Sequence, residues 1–106
     1  MTVTPCDSPS ALSTALSNAG SKLVVIDFHA TWCGPCKRIA PFLAQLSETL
    51  TDVVFLKVDV DENSEASEQY EVEAMPTFKF LKNGEVIATI TGADEASIEA
   101  AARQHK

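Results

Sequence analysis

Two apolar, β-branched runs dominate the chain: LVVIDF at residues 23–28 and VVFLKVDV at 53–60. Runs this continuous read as strands covered on both faces rather than strands with one wet side. Between them the apolar period changes. From Cys33 to about Leu50, the residues Ile39, Leu43, Leu46 and Leu50 fall on one face of a helix. A strand, an amphipathic helix and a second buried strand imply an α/β layer with parallel pairs in its middle.

The flanking segments extend the same order. A short strand is expected at about residues 2–5. Ser8 and Pro9 suit the N-cap and first position of a helix, with Leu12 and Leu16 on its apolar face and Gly20 at its end. Pro41 removes one internal hydrogen bond of the long helix and predicts a kink there. The acidic stretch DVDENSEASEQYEVE, residues 59–73, predicts a short helix over 64–71. TFKFLKNGEVIATITG predicts a hairpin, with strands at 77–81 and 86–91 turning through Asn83-Gly84. A last helix begins at Asp94 and Glu95 and ends with Arg103, His105 and Lys106, charges that suit the helix dipole. The resulting order, β-α-β-α-β-α-β-β-α, gives an α/β fold with a mixed sheet. At 106 residues the chain suits one domain, residues 1–106.

Composition narrows the function. Eight Lys and Arg face fifteen Asp and Glu, for a net charge of −7, the wrong sign for gripping nucleic acid. No run of about 18 apolar residues crosses a membrane. The first residues, MTVTPCDSPS, lack a basic segment followed by an apolar one, so a cytoplasmic location is expected. Three cysteines, Cys6, Cys33 and Cys36, are too few and too uneven for a disulfide scaffold.

The chemistry concentrates in TWCGPCK, residues 31–37. Zinc needs three or four ligands, and one Cys-x-x-Cys supplies two; completing a site would take a second chain. A structural disulfide between Cys33 and Cys36 would close only a short local loop and restrict the unfolded chain little. A redox pair accounts for the spacing better. Cys33 stands where a helix begins, so its sulfur faces unpaired N–H groups and the positive end of the dipole, both of which favour thiolate. Thiolate is the nucleophile in exchange. Cys36, one turn on, reaches Cys33 and can resolve a mixed disulfide. Pro35 stiffens the first turn without needing an N–H, and Gly34 leaves room for a partner.

ATWCGPCK at 30–37 resembles the active site of the thioredoxin family. The resemblance extends along essentially the whole chain: VVIDF at 24–28, Pro41, DVDEN at 59–63, AMPTF at 74–78, KNGE at 82–85 and Gly92. It is nearest to small cytosolic animal members. It implies a thioredoxin fold, a central five-stranded mixed sheet flanked by four helices. It also implies a Cys33–Cys36 disulfide, an exposed Cys33 at the helix tip, and a cis peptide before Pro76 facing the cysteines. Substrate would be held by Trp32, the Met75 backbone, Pro76 and Gly92.

Asp27 interrupts an otherwise apolar strand, where a carboxylate is costly unless paired or protonated. Either it is an exposed strand-end residue or, as the resemblance implies, a buried acid behind Cys36 that accepts its proton. Lys57 at the matching position of the next strand would support Asp27, or is an ordinary surface lysine. Trp32 would shield the site and touch partners. His29 is either a packed strand residue or a group that titrates beside the cysteines. Cys6 is a small buried residue, or a thiol open to glutathionylation or interchain pairing.

The resemblance implies a general protein-disulfide reductase acting as a monomer on targets such as peroxiredoxins and serving cell redox homeostasis. It would be recharged by thioredoxin reductase, whose NADPH and FAD stay with that partner; the chain has no Gly-x-Gly-x-x-Gly and would bind no cofactor itself. A binding subunit that uses the fold as a surface is the alternative, and net oxidation or isomerisation is a third.

Overall fold

The computed structural model describes residues 3–106. Five strands and four helices alternate as β1 (Val3–Pro5), α1 (Pro9–Ala19), β2 (Val24–His29), α2 (Gly34–Thr49), β3 (Val54–Asp59), α3 (Ser64–Gln69), β4 (Thr77–Lys82), β5 (Glu85–Thr91) and α4 (Glu95–His105). The strands form one mixed sheet in the order β1-β3-β2-β4-β5. β2 lies at its centre, parallel to β3 and antiparallel to β4.

The pleat of β2 explains why its sequence is apolar on both sides. Val24, Ile26 and Phe28 point to a core layer that includes Leu12 and Ala19 of α1 and Ala66 of α3. Val25 points the other way, to a layer shared with Ile39, Leu43 and Leu46 of α2 and Ile98 and Ala102 of α4. Residues two apart share a face, so Asp27 and His29 lie with Val25 on the α2 side. Phe28, Phe78 and Phe80 are fully buried, each contributing about 2–3 kcal/mol through burial.

Local signals set the ends of the elements. Ser8 Oγ accepts from the Ala11 N–H at 3.1 Å and caps α1. Asp94 Oδ1 accepts from the Ser97 N–H at 3.1 Å and caps α4. The hairpin turns through Asn83 and Gly84, both at positive φ (53° and 79°), which only such residues adopt readily. α2 runs on through Pro41. α3 stops at Gln69, two residues short of the predicted end, because Tyr70 caps it and Glu71 takes φ 56°. Residue 2 of the expected first strand lies outside the described residues.

Candidate active site

Strand register brings four separate segments to one edge of the sheet. β2 and β3 are parallel, so both deliver their C-terminal ends there, the edge at which α/β sheets place their sites. β4 runs the other way, and the pairing of Phe28 with Thr77 sets Pro76 against the end of β2. β5 returns with Thr91 opposite Thr77, so Gly92 follows at the same edge. The Gly92 N–H donates to the Pro76 carbonyl at 2.8 Å, with Gly92 at φ 102°. The Met75–Pro76 peptide is cis.

Residues 30–33 carry the chain from β2 to α2. Cys33 is the N-cap of α2: the Cys36 N–H donates to Cys33 Sγ at 3.2 Å. Gly34 and Pro35 form the first helical positions. Cys36 sits one turn along and is disulfide-bonded to Cys33, with the two Cα atoms 5.3 Å apart. The N-cap hydrogen bond places a polarised donor on the sulfur that would carry charge when the pair is reduced. A Cβ built on Gly34 meets only Arg38 Nη1, at 3.5 Å. No internal crowding requires glycine there.

The resemblance implied an exposed Cys33; in this oxidised state the residue is 5% exposed. The cause is local. The sulfur turns back to the helix N–H and to Cys36, and Ala30, Val60 and Met75 pack around the pair.

Asp27 is not an exposed strand-end residue. It is 6% exposed, and Oδ1 has no hydrogen-bond partner among the described residues. Burial pushes its carboxyl up from the ordinary 3.8 to about 7, against a smaller downward pull from the Lys57 charge. Lys57 stands opposite Asp27 in the parallel register. It makes no ion pair with it; among the described residues the ion pairs are Glu99–Arg103 and Asp52–Lys106. Asp27, Lys57 and Cys36 line one cavity of about 300 Å³, together with His29, Ala30, Thr31, Lys37 and Ala40. Asp27 and Cys36 therefore open onto one space, which Cys33 does not line. His29 at the end of β2 is half-buried, and burial draws its imidazole below the ordinary 6.5.

Trp32 is 65% exposed, so it is not a packing residue. Its indole N–H donates to Asp61 Oδ2 at 3.0 Å, which ties the residue before Cys33 to the loop after β3. The chain has one tryptophan, so emission on reduction of the Cys33–Cys36 bond reports this site alone. A change in intensity is expected on adding a dithiol; an unchanged spectrum would remove Trp32 from the site.

Sequence reading missed Asp61. It lies in DVDEN, which carries part of the resemblance but assigns Asp61 no role, and its partner lies 29 residues away, so no local pattern marks the contact. Asp59 orients the same loop by accepting from the Asp61 and Glu62 N–H groups. Asn63, in the same DVDEN stretch, has a structural role that the sequence does not announce. It is 1% exposed, caps α3, and donates to the Cys6 carbonyl at 3.2 Å. Cys6 is a core residue, 1% exposed, and burial pushes its thiol up, away from reactivity.

No helix among the described residues is long and apolar enough to cross a membrane. A thioredoxin family profile matches residues 4–104. Horse thioredoxin is 51% identical over 94 residues, covering 89% of this chain and 90% of that protein. The structure of reduced Schistosoma mansoni thioredoxin pre-protein superposes with a TM-score of 0.95 at 42% identity, covering all of both chains. A chain from the structural study of thiol resolution in yeast mitochondrial 1-Cys peroxiredoxin via glutathione/thioredoxin systems superposes with a TM-score of 0.87. It is 36% identical, covering 97% of this chain and 95% of that one. With a disulfide-forming Cys-x-x-Cys pair at a helix tip on a mixed sheet of this topology, the chain belongs to the thioredoxin family and is a thiol-disulfide oxidoreductase.

Proposed function

We propose that the protein is a general protein-disulfide reductase in which Cys33 attacks and Cys36 resolves. In the reduced protein, Cys33 thiolate attacks one sulfur of a target disulfide and expels the other as thiolate, leaving a mixed disulfide. Asp27 carboxylate then takes the Cys36 proton. The Cys36 thiolate attacks Cys33 Sγ, forms the Cys33–Cys36 bond and expels the second target sulfur. The protein loses two electrons and the target gains them; the target sulfurs leave as thiolates that take their protons from solvent, and the Cys36 proton stays on Asp27.

The observation that carries this reading is the N-cap bond from the Cys36 N–H to Cys33 Sγ, with a buried, unpartnered carboxyl behind Cys36. Trp32, Met75, Pro76 and Gly92 form the platform for an extended target segment, with the Met75 backbone pairing to it as an added strand. Gly34 and Pro35 keep the approach open and the first turn rigid, and Lys57 restores part of the acidity that burial takes from Asp27.

Recharging falls to thioredoxin reductase, an NADPH-dependent flavoprotein; NADPH and FAD belong to that partner. The similarity to the yeast chain studied with a 1-Cys peroxiredoxin supports peroxiredoxins among the targets. The protein acts as a monomer in the cytoplasm and maintains redox homeostasis there, a setting supported by its likeness to small animal thioredoxins. With NADPH, thioredoxin reductase and a disulfide-bonded test protein, this chain is expected to drive catalytic NADPH consumption. Consumption no faster than in its absence would contradict the proposal.

A further inference from the structure

The groove behind Cys36 holds a titratable group that the mechanism above does not use. Its lining includes His29, Asp27 and Lys57 with Cys36 and Lys37. A second cavity of about 480 Å³ shares Asp27, Lys37, Ala40 and Lys57 and continues the groove along α2 past Pro41. The combined space has a mostly apolar lining that carries these few polar groups, and it is wide enough for water. Asp27 is 6% exposed, so its proton reaches bulk solvent only by way of this groove. His29 is two residues further along the same strand face, about 7 Å away, a gap that a bridging water spans.

We propose that His29 is a proton-relay residue for disulfide exchange, carrying the proton that Asp27 takes from Cys36 out to solvent. The inference rests on the reading of Asp27 as the Cys36 base. After resolution Asp27 is a neutral acid. It passes its proton to the free nitrogen of His29 through groove water; the imidazolium then loses it to bulk water. Asp27 is thereby returned to carboxylate, and on re-reduction the path runs in reverse.

The surroundings of His29 suit the task. Burial lowers its affinity for a proton, Asp59 opposite it on β3 raises it, Lys57 lowers it and Asp7 raises it. From α2, Lys37 stands at the groove wall. Neutral imidazole is therefore the resting form at neutral pH, with nearby carboxylates to support the transient cation. Asp59 is held in place by the Asp61 and Glu62 N–H groups.

The test is a steady-state measurement with NADPH and excess thioredoxin reductase, in which Asp27 must be emptied after every turnover. Wild type, His29→Gln and Asp27→Asn are given a disulfide-bonded protein at neutral pH, in dilute non-nitrogenous buffer and then with added imidazole. His29→Gln is expected to turn over roughly tenfold more slowly, less than the about hundredfold of a lost direct base because groove water still carries some protons, and imidazole should restore the rate. Asp27→Asn should be slow with or without imidazole. A packing defect would not be rescued by a small base, and His29→Asn should repeat the pattern if the lost titration is the cause. His29→Gln as fast as wild type, or slow and indifferent to imidazole, overturns the relay while leaving Asp27 in its role. Asp27→Asn as fast as wild type overturns the Asp27 reading and the relay with it.

Discussion

Asp27→Asn is expected to make the oxidised protein about 3 kcal/mol more stable at pH 8, to leave its stability at pH 4 nearly unchanged, and to slow turnover. The reason is the displaced titration of this carboxyl, at about 7 in the folded chain against 3.8 for the ordinary group. Below pH 4 the acid is protonated folded and unfolded, so folding costs nothing extra. Between pH 4 and 7 the unfolded chain ionises while the folded one holds its proton, and stability drains away. Above pH 7 both forms are ionised and the native state bears the full cost of the buried charge. A shift of about three pH units corresponds to a ceiling of about 4 kcal/mol. The asparagine amide also needs hydrogen-bond partners in the same space, which takes back part of the gain. Urea unfolding of both proteins at pH 4, 6 and 8 checks this. Curves for the two proteins that stay parallel across that range would mean Asp27 is not buried as described. The same variant loses the base behind Cys36, so stability rises as activity falls, a trade common at functional sites.

Cys36→Ser and Cys33→Ser are expected to fail in different ways. Without Cys33 there is no nucleophile at the helix tip, and turnover of a disulfide-bonded protein should drop at least about a thousandfold. Without Cys36 the first attack still occurs, because the N-cap bond to Cys33 Sγ comes from the backbone of residue 36 and not from its side chain. The mixed disulfide then has no resolving thiol and accumulates as a covalent complex. Mass spectrometry of the two variants after exposure to a target disulfide distinguishes them: a stable adduct for Cys36→Ser and none for Cys33→Ser. Cys6 does not confuse the result, being buried on the other layer of the core. A binding protein that used the site only as a surface would keep its affinity in both variants and trap nothing.

Much of this was legible in the sequence because the deciding signals are local. Ser8-Pro9, Asn83-Gly84 and Asp94 are caps and turns whose chemistry acts within four residues, and each does in the structure what its type predicts. The continuous runs at 23–28 and 53–60 marked doubly covered strands because their burial follows from composition alone. The Cys-Gly-Pro-Cys spacing marked the site for the same reason. What escaped depends on contacts across the fold. Whether Asp27 was buried could not be decided from its neighbours in sequence; it follows from β2 being central and α2 crossing above it. The Trp32–Asp61 bond joins two loops at the ends of parallel strands, a juxtaposition that only the register creates. The sequence predicts a longer α3 because Glu71 is a good helix former and Tyr70 a tolerated one, but Glu71 takes φ 56° and leaves the helix. The burial of Cys33 likewise belongs to the closed disulfide, which packs under Met75.

The most direct test is the rate at which reduced Cys33 attacks a small disulfide, followed from pH 5 to pH 9 beside free cysteine. If the N-cap position holds this sulfur as thiolate, the protein still reacts readily at pH 6, where free cysteine has largely stopped. A rate that falls in step with free cysteine as the pH is lowered would contradict it.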